Sequence, residues 1–186
     1  MPERATPLLP NNYYHLYNRG VNKGLIFFSD RNYQYFLNKM SFFFQSKADI
    51  LAYCLMPNHF HLLIKINSDN FVKTSLQPFF VSYSKSINIE QDRIGPLFQG
   101  RFQANLIEDK EYLLDCVKYI HLNPVNAGLV SSPELWKYSS YEKYVHKENR
   151  TYADTSVVMN YFDSVDEFRE FVEFGLDQYE SKFFSG

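Results

Sequence analysis

Cysteine is scarce in this chain of 186 residues. The two that occur, Cys54 in an apolar strand-like run and Cys116 in a helix-like one, form neither a disulfide framework nor a CxxC metal pair. Both are expected to be buried free thiols. Long apolar runs are missing as well. None reaches the ~18 residues a membrane-spanning helix needs, and the opening MPERATPLLP lacks the charged-then-apolar layout of a secretory signal. The expectation is a soluble, cytoplasmic protein with no membrane partner. Internal repeats and low-complexity segments are absent too. Charge of one sign is nearly balanced out, with 19 Lys and Arg against 21 Asp and Glu for a net −2. The distribution is less even: residues 1–150 hold 17 basic and 13 acidic side chains, whereas 151–186 hold 2 and 8. A mildly basic body with an acidic end permits a phosphate-bearing partner without demanding one.

Aromatic residues abound, with 15 Tyr and 18 Phe, and most are expected in a core. The length suits one such core, so the expected organisation is a domain over 1–150 and an acidic helical extension over 151–186. YYHLYNRG at 13–20 reads as a strand closed by Gly20. From Asp30 to Gln45, Tyr33, Phe36, Leu37, Met40, Phe43 and Phe44 recur at helical spacing, with Asp30 placed to cap the start. ILAYCLMP (50–57) and FHLLIKI (60–66) suit an antiparallel pair joined tightly through Asn58 and His59. Residues 70–89 are again helical in spacing, with Pro78 as a kink or break. PLFQGRFQANLI (96–107) returns to a strand pattern. Residues 108–123 form a helix capped by Asp109 that should end near Asn123, because Pro124 pushes its predecessor away from helical angles. A last helix over 164–179 opens with a Ser164–Glu167 capping box and carries Val165, Phe168, Phe171, Val172, Leu176 and Tyr179 as its apolar stripe. The order predicts an α+β, ferredoxin-like antiparallel sheet with helices packed on one face and a C-terminal helical appendage.

LMPNHFHLLIKI (55–66) sets His59 and His61 two residues apart. On a strand they point to the same face about 7 Å apart, close enough to share one metal ion, though structural histidines fit that spacing equally well. In KYIHLNPVNAGLV, Tyr119 and Asn123 are four residues apart and neighbours on a helix face. A phenol with pKa ~10 is a poor nucleophile at neutral pH unless a cation assists it. Two imidazoles and an amide oxygen are neutral ligands that would leave a divalent ion its full charge for a phosphate. On spacing alone, Tyr119 as one more of the many tyrosines and Asn123 as a helix cap is the stronger reading.

The motifs taken together carry more. MPNHFHLLI, then FQGRF, then YIHLNPVNAGLV, with YYHLYNRG at the start, resemble the single-tyrosine HUH transposases of the IS200 type, and most of all the relatives associated with repetitive extragenic palindromes (REP). The resemblance covers about residues 12–145. It implies a ferredoxin-like domain that binds single-stranded DNA beside a stem-loop, cuts it and rejoins it without a nucleotide cofactor. By motif, His59 and His61 correspond to the HUH pair, Tyr119 to the nucleophile and Asn123 to the third metal ligand, which in insertion-sequence relatives is often Gln. The implied chemistry is in-line attack by Tyr119 on phosphorus, leaving a free 3′-hydroxyl and a 5′-phosphotyrosine that a 3′-hydroxyl can later reverse. Mg²⁺ or Mn²⁺ is the implied ion, and the implied assembly is a monomer or a homodimer.

Around that centre, Asn18, Arg19 and Gly20 end the first strand where, by the resemblance, DNA is read; Arg19 would grip phosphate or a guanine edge and Gly20 would permit close backbone approach. A plain turn is the alternative. Arg101 in FQGRF is a candidate phosphate contact. Lys85, Lys118 and Lys65 are candidate backbone contacts, though the solvated charge is the stronger reading for each taken singly. His121 should point away from Tyr119 and make a structural hydrogen bond, His15 has no assigned role, and Trp136 should anchor the segment after the helix. Two other functions remain compatible: a hairpin-binding regulator derived from a transposase, and a metal-dependent nuclease that uses water. The acidic end either completes the core through its apolar stripe or competes with DNA for the basic body.

Overall fold

The computed structural model describes residues 8–146 and 152–174. Four strands, β1 (Tyr13–Arg19), β2 (Ala48–Met56), β3 (His59–Ile66) and β4 (Gln103–Ile107), form one antiparallel sheet in the order β2-β3-β1-β4. Helices α1 (Asp30–Phe44) and α2 (Gln77–Glu90) connect β1 to β2 and β3 to β4. Among the described residues, four α-helices follow β4: α3 (Lys110–Asn126), α4 (Tyr141–His146), α5 (Ser156–Met159) and α6 (Val165–Glu173). This is the expected α+β, ferredoxin-like arrangement.

The layering follows from β3. Its even-numbered side chains, Phe60, Leu62, Ile64 and Ile66, are buried with Phe36 and Phe44 of α1 and Phe79, Tyr83 and Ile87 of α2. Leu63, pointing the other way, packs with Leu113, Cys116, Val117 and Ile120 of α3. The expected single helical face therefore holds for α1 and α2 but not for α3, which covers the opposite face. A strand apolar on both sides cannot leave either to water. In β2 the register slips between Ile50 and Ala52, so Leu51 and Ala52 both serve the α3 face while Ile50 and Tyr53 serve the other.

Several boundaries differ from the sequence expectation. Ser29, not Asp30, is the N-cap of α1, and Asp30 is its first-turn acid. A π-helical turn (Val72–Leu76) runs without a break into α2, with Pro78 at the second residue of α2, and the wider turn accommodates the proline ring without ending the helix. Residues 97–100 are not strand; they run along the end of β1, with Val21 N donating to Leu97 O at 3.0 Å and Gln99 N to Arg19 O at 2.8 Å. Asp109 does cap α3, accepting from Tyr112 N at 2.7 Å. The helix nevertheless runs through Pro124 to Asn126, because a buried proline in the last turn forfeits only one hydrogen bond. It closes where Ala127 N donates to Asn123 O and Gly128 takes φ +68°.

Ser164 caps α6 by accepting from Glu167 N at 3.0 Å, and Phe168 and Val172 join Tyr144 and Val158 in the α3-side core. Positions 175–179 of the expected last helix lie outside the described residues. Cys54 and Cys116 are free and buried, as expected. Trp136 Nε1 donates to Leu55 O at 3.0 Å and so anchors the chain after α3 to β2. Among the described residues no helix is long and apolar enough to cross a membrane.

Candidate active site

The connection from β2 to β3 is only Pro57–Asn58, so Met56 faces His59 and the strand already holds both histidines. Alternation then turns both rings toward α3, with 5.1 Å between their centroids. Helix α3 is buried nearly all round, between the sheet and α4 and α6. Tyr119 and Asn123, one turn apart, reach the same two rings: the Tyr119 hydroxyl lies 3.5 Å from His61 Nε2, and Asn123 Oδ1 lies 2.9 Å from His59 Nε2. The pair on β3 and the pair on α3 thus meet within one chain. His59 is the most open of the four; His61, Tyr119 and Asn123 are buried.

Burial holds the His61 pKa well below its ordinary value, and His15 and His59 nearby reinforce the shift. His59 is lowered for the same first reason, opposed by the Asn123 carbonyl oxygen, which favours the charged ring, and aided by the Arg19 charge. Both rings are therefore neutral near pH 7, as a metal ligand must be. Asn58 Nδ2 donates to Lys23 O at 3.1 Å, which leaves its Oδ1 to accept from His59 Nδ1–H at 2.7 Å. The neutral His59 ring then turns an Nε2 lone pair toward the Asn123 carbonyl oxygen, an arrangement a cation between them satisfies. The donor set fits a divalent ion. Among the described residues no group of three or more His, Cys, Asp or Glu gathers as a metal cluster; the set at hand is two imidazoles and an amide.

Arg19 lies opposite His59 in the β1–β3 register, and its Nε donates to Gln99 Oε1 at 2.7 Å. Asn18 is buried, with Nδ2 donating to Gly100 O at 3.3 Å and Oδ1 accepting from Arg19 N at 2.8 Å. A Cβ on Gly20 would stand 2.0 Å from Gly24 O, so the close approach this glycine permits is to its own chain. Arg101 is exposed just before β4 rather than on a strand. Lys85 is exposed on α2, across the sheet from Tyr119. Lys118 is drawn into the fold, its Nζ donating to Phe174 O at 2.6 Å. Lys65 lies 6.0 Å from the Tyr13 ring centroid. His121 makes the expected structural bond, to Ser140 Oγ at 2.9 Å.

Two residues at the site carry no role in the sequence reading. His15 Nε2 lies 3.0 Å from His61 Nδ1, and Asn58 holds His59. The signal for His15 was present: alternation along β1 puts His15, Tyr17 and Arg19 on one face, the face that β3 lines with histidine.

Three comparisons bear on this arrangement. A family model described as transposase, IS200 like, matches residues 10–123, which span β1 to the Asn123 position on α3. A Haemophilus influenzae protein that carries the name REP-associated tyrosine transposase is 28% identical over 155 residues, covering 71% of this chain and 88% of its own. The solved structure of a REP-associated tyrosine transposase bound to a REP hairpin superposes with a TM-score of 0.63 at 17% identity, over 83% of this chain and 93% of that one. That likeness establishes the shared fold. Because the family match takes in more than half of the chain and every strand of the sheet, the chain belongs to the IS200-like transposases, enzymes of the transposase type.

Proposed function

We propose that this protein is a metal-dependent transesterase that cleaves and rejoins single-stranded DNA next to a palindromic hairpin through a 5′-phosphotyrosine on Tyr119. The observation that carries the reading is the Tyr119 hydroxyl 3.5 Å from His61 Nε2 beside the His59–Asn123 contact of 2.9 Å, all within one chain. The hairpin partner is inferred from the solved relative, which is bound to a REP hairpin. The completeness of the four-residue set in one molecule supports a monomer able to act alone over an obligate homodimer.

His59, His61 and Asn123 would hold Mg²⁺ or Mn²⁺, which supplies Lewis-acid polarisation of the scissile phosphate when bound. Tyr119 Oη attacks phosphorus in line, the P–O3′ bond breaks, and the phenolic proton ends on the departing 3′-oxygen, which leaves as a hydroxyl. The phosphodiester is exchanged rather than hydrolysed, so a 3′-hydroxyl attacking the adduct regenerates Tyr119 and rejoins a strand. Burial of Tyr119 at 3% exposure keeps water from competing at the adduct. Half-buried His59, with Arg19 beside it, marks the side from which a phosphate enters.

The test is incubation with hairpin-bearing single strands and Mn²⁺, reading a denaturation-resistant protein–DNA species. Wild type forms it. Tyr119→Phe does not, while still binding the hairpin. Persistence of the species in that variant excludes this nucleophile; strand cutting by the variant without any adduct indicates a nuclease using water; binding without cutting by wild type indicates a regulator.

A further inference from the structure

We infer that His15 and Asn58 are positioning residues that hold His61 and His59 with their protons on Nδ1, so that both Nε2 lone pairs face the Tyr119–Asn123 edge of α3. The inference rests on reading the two histidines of β3 as ligands, and it assigns a task to two side chains outside the four.

For His59 the geometry is direct. The Asn58 amide is oriented by its bond to Lys23 O, so the atom facing His59 Nδ1 is an oxygen, which only accepts. For His61 the partner is another imidazole. His15 and His61 are both wholly buried, where charging either ring is costly, so a single proton lies between their facing nitrogens. With 5.1 Å between centroids and 3.0 Å between those nitrogens, the rings meet edge to edge, and the 25° between their planes keeps N–H and lone pair near one plane. The proton belongs to His61 Nδ1 in one arrangement and to His15 Nε2 in the other. Only the first turns an unprotonated His61 Nε2 toward α3, as Asn58 does for His59, which two rings need to share one cation. A buried polar ring is disfavoured unless it makes its hydrogen bond, and the His61 contact supplies one for His15, whose ring lies against Tyr17, His61 and Tyr119. Partners of this kind on the far ring nitrogen tune metal ligands generally, and their loss typically lowers metal affinity ~10–100-fold.

The test is long-range ¹H–¹⁵N correlation of the histidine rings in the full chain, first without metal and then titrated with Mg²⁺. Wild type should show His59 and His61 protonated on Nδ1 before any metal is added. His15→Phe should move the His61 proton to Nε2 and weaken Mg²⁺ binding by ~10–100-fold, and His15→Gln, which restores an acceptor, should recover part of both. Asn58→Leu should do the same to His59, and Asn58→Asp should not. A wild-type spectrum with the His61 proton on Nε2 overturns the inference, as does a His15→Phe protein with unchanged tautomer and affinity. Should His15→Phe fail to fold, the wild-type spectrum and the Gln variant decide. Failure of the ligand reading shows separately, as equal Mg²⁺ affinity in wild type and His61→Ala, while the tautomers are still read from the metal-free spectra.

Discussion

On the side of the sheet covered by α1 and α2, β3 presents Phe60, Leu62, Ile64 and Ile66, all fully buried among aromatic rings such as Phe36 and Phe79. On the side covered by α3, the same strand presents His59, His61, Leu63 and Lys65, of which only Leu63 belongs to the hydrophobic cluster. The first face gains stability from area removed from water, at about 25 cal/mol per Å². The second face buries polar rings at a cost, met by bonds to Asn58, His15 and Tyr119. One strand thus separates the two demands by parity, and substitutions on the two faces should fail in different ways.

The sharpest break in that comparison is Tyr119→Phe. It should lower covalent adduct formation at least ~10³-fold while shifting urea stability by no more than about 1 kcal/mol, read by denaturing gel and by unfolding midpoint. Phe36→Ala is its mirror image on the other face. It should cost about 3–5 kcal/mol of stability and leave the adduct yield per folded molecule unchanged; a comparable loss of chemistry would mean the faces are not separable.

Acid should act through the α3 face. Burial lowers the His121 pKa to about 3 from its ordinary 6.5. The unfolded chain therefore takes up that proton first, so stability is fully present above about pH 6.5 and declines as pH falls toward 3, by up to about 1.4 kcal/mol per pH unit. His121→Gln should flatten the fall in unfolding free energy between pH 6 and 4 by about one proton's worth; an unchanged slope would place the acid sensitivity elsewhere. The smallest effect concerns DNA. Arg19→Ala, beside His59, should lower the salt dependence of hairpin binding by about one phosphate contact, whereas Lys85→Ala, across the sheet, should leave both affinity and slope unchanged.

Much of the frame was legible because it is periodic. Helical spacing located α1 and α3, alternation located β3, and Asp109 and Ser164 marked the starts of α3 and α6. Pro124 misled because its local preference was outweighed by its burial in the last turn of α3. FQGRF reads as strand from its apolar spacing, yet its backbone is used to bind the end of β1. Lys118 looks like a surface cation in the sequence. It is taken up by Phe174 O, a group far along the chain that no local pattern reveals.

By itself the sequence determined the α+β class, the parity that sends His59 and His61 to one side of β3, and the helical turn that keeps Tyr119 and Asn123 together, because these depend only on the repeat geometry of strand and helix. Tertiary structure decided which face α3 covers, that Tyr119 comes within 3.5 Å of His61 in the same chain, and that His15 and Asn58 stand behind the two rings. Those outcomes depend on how separate elements bury their surfaces against one another, and local spacing carries no record of that.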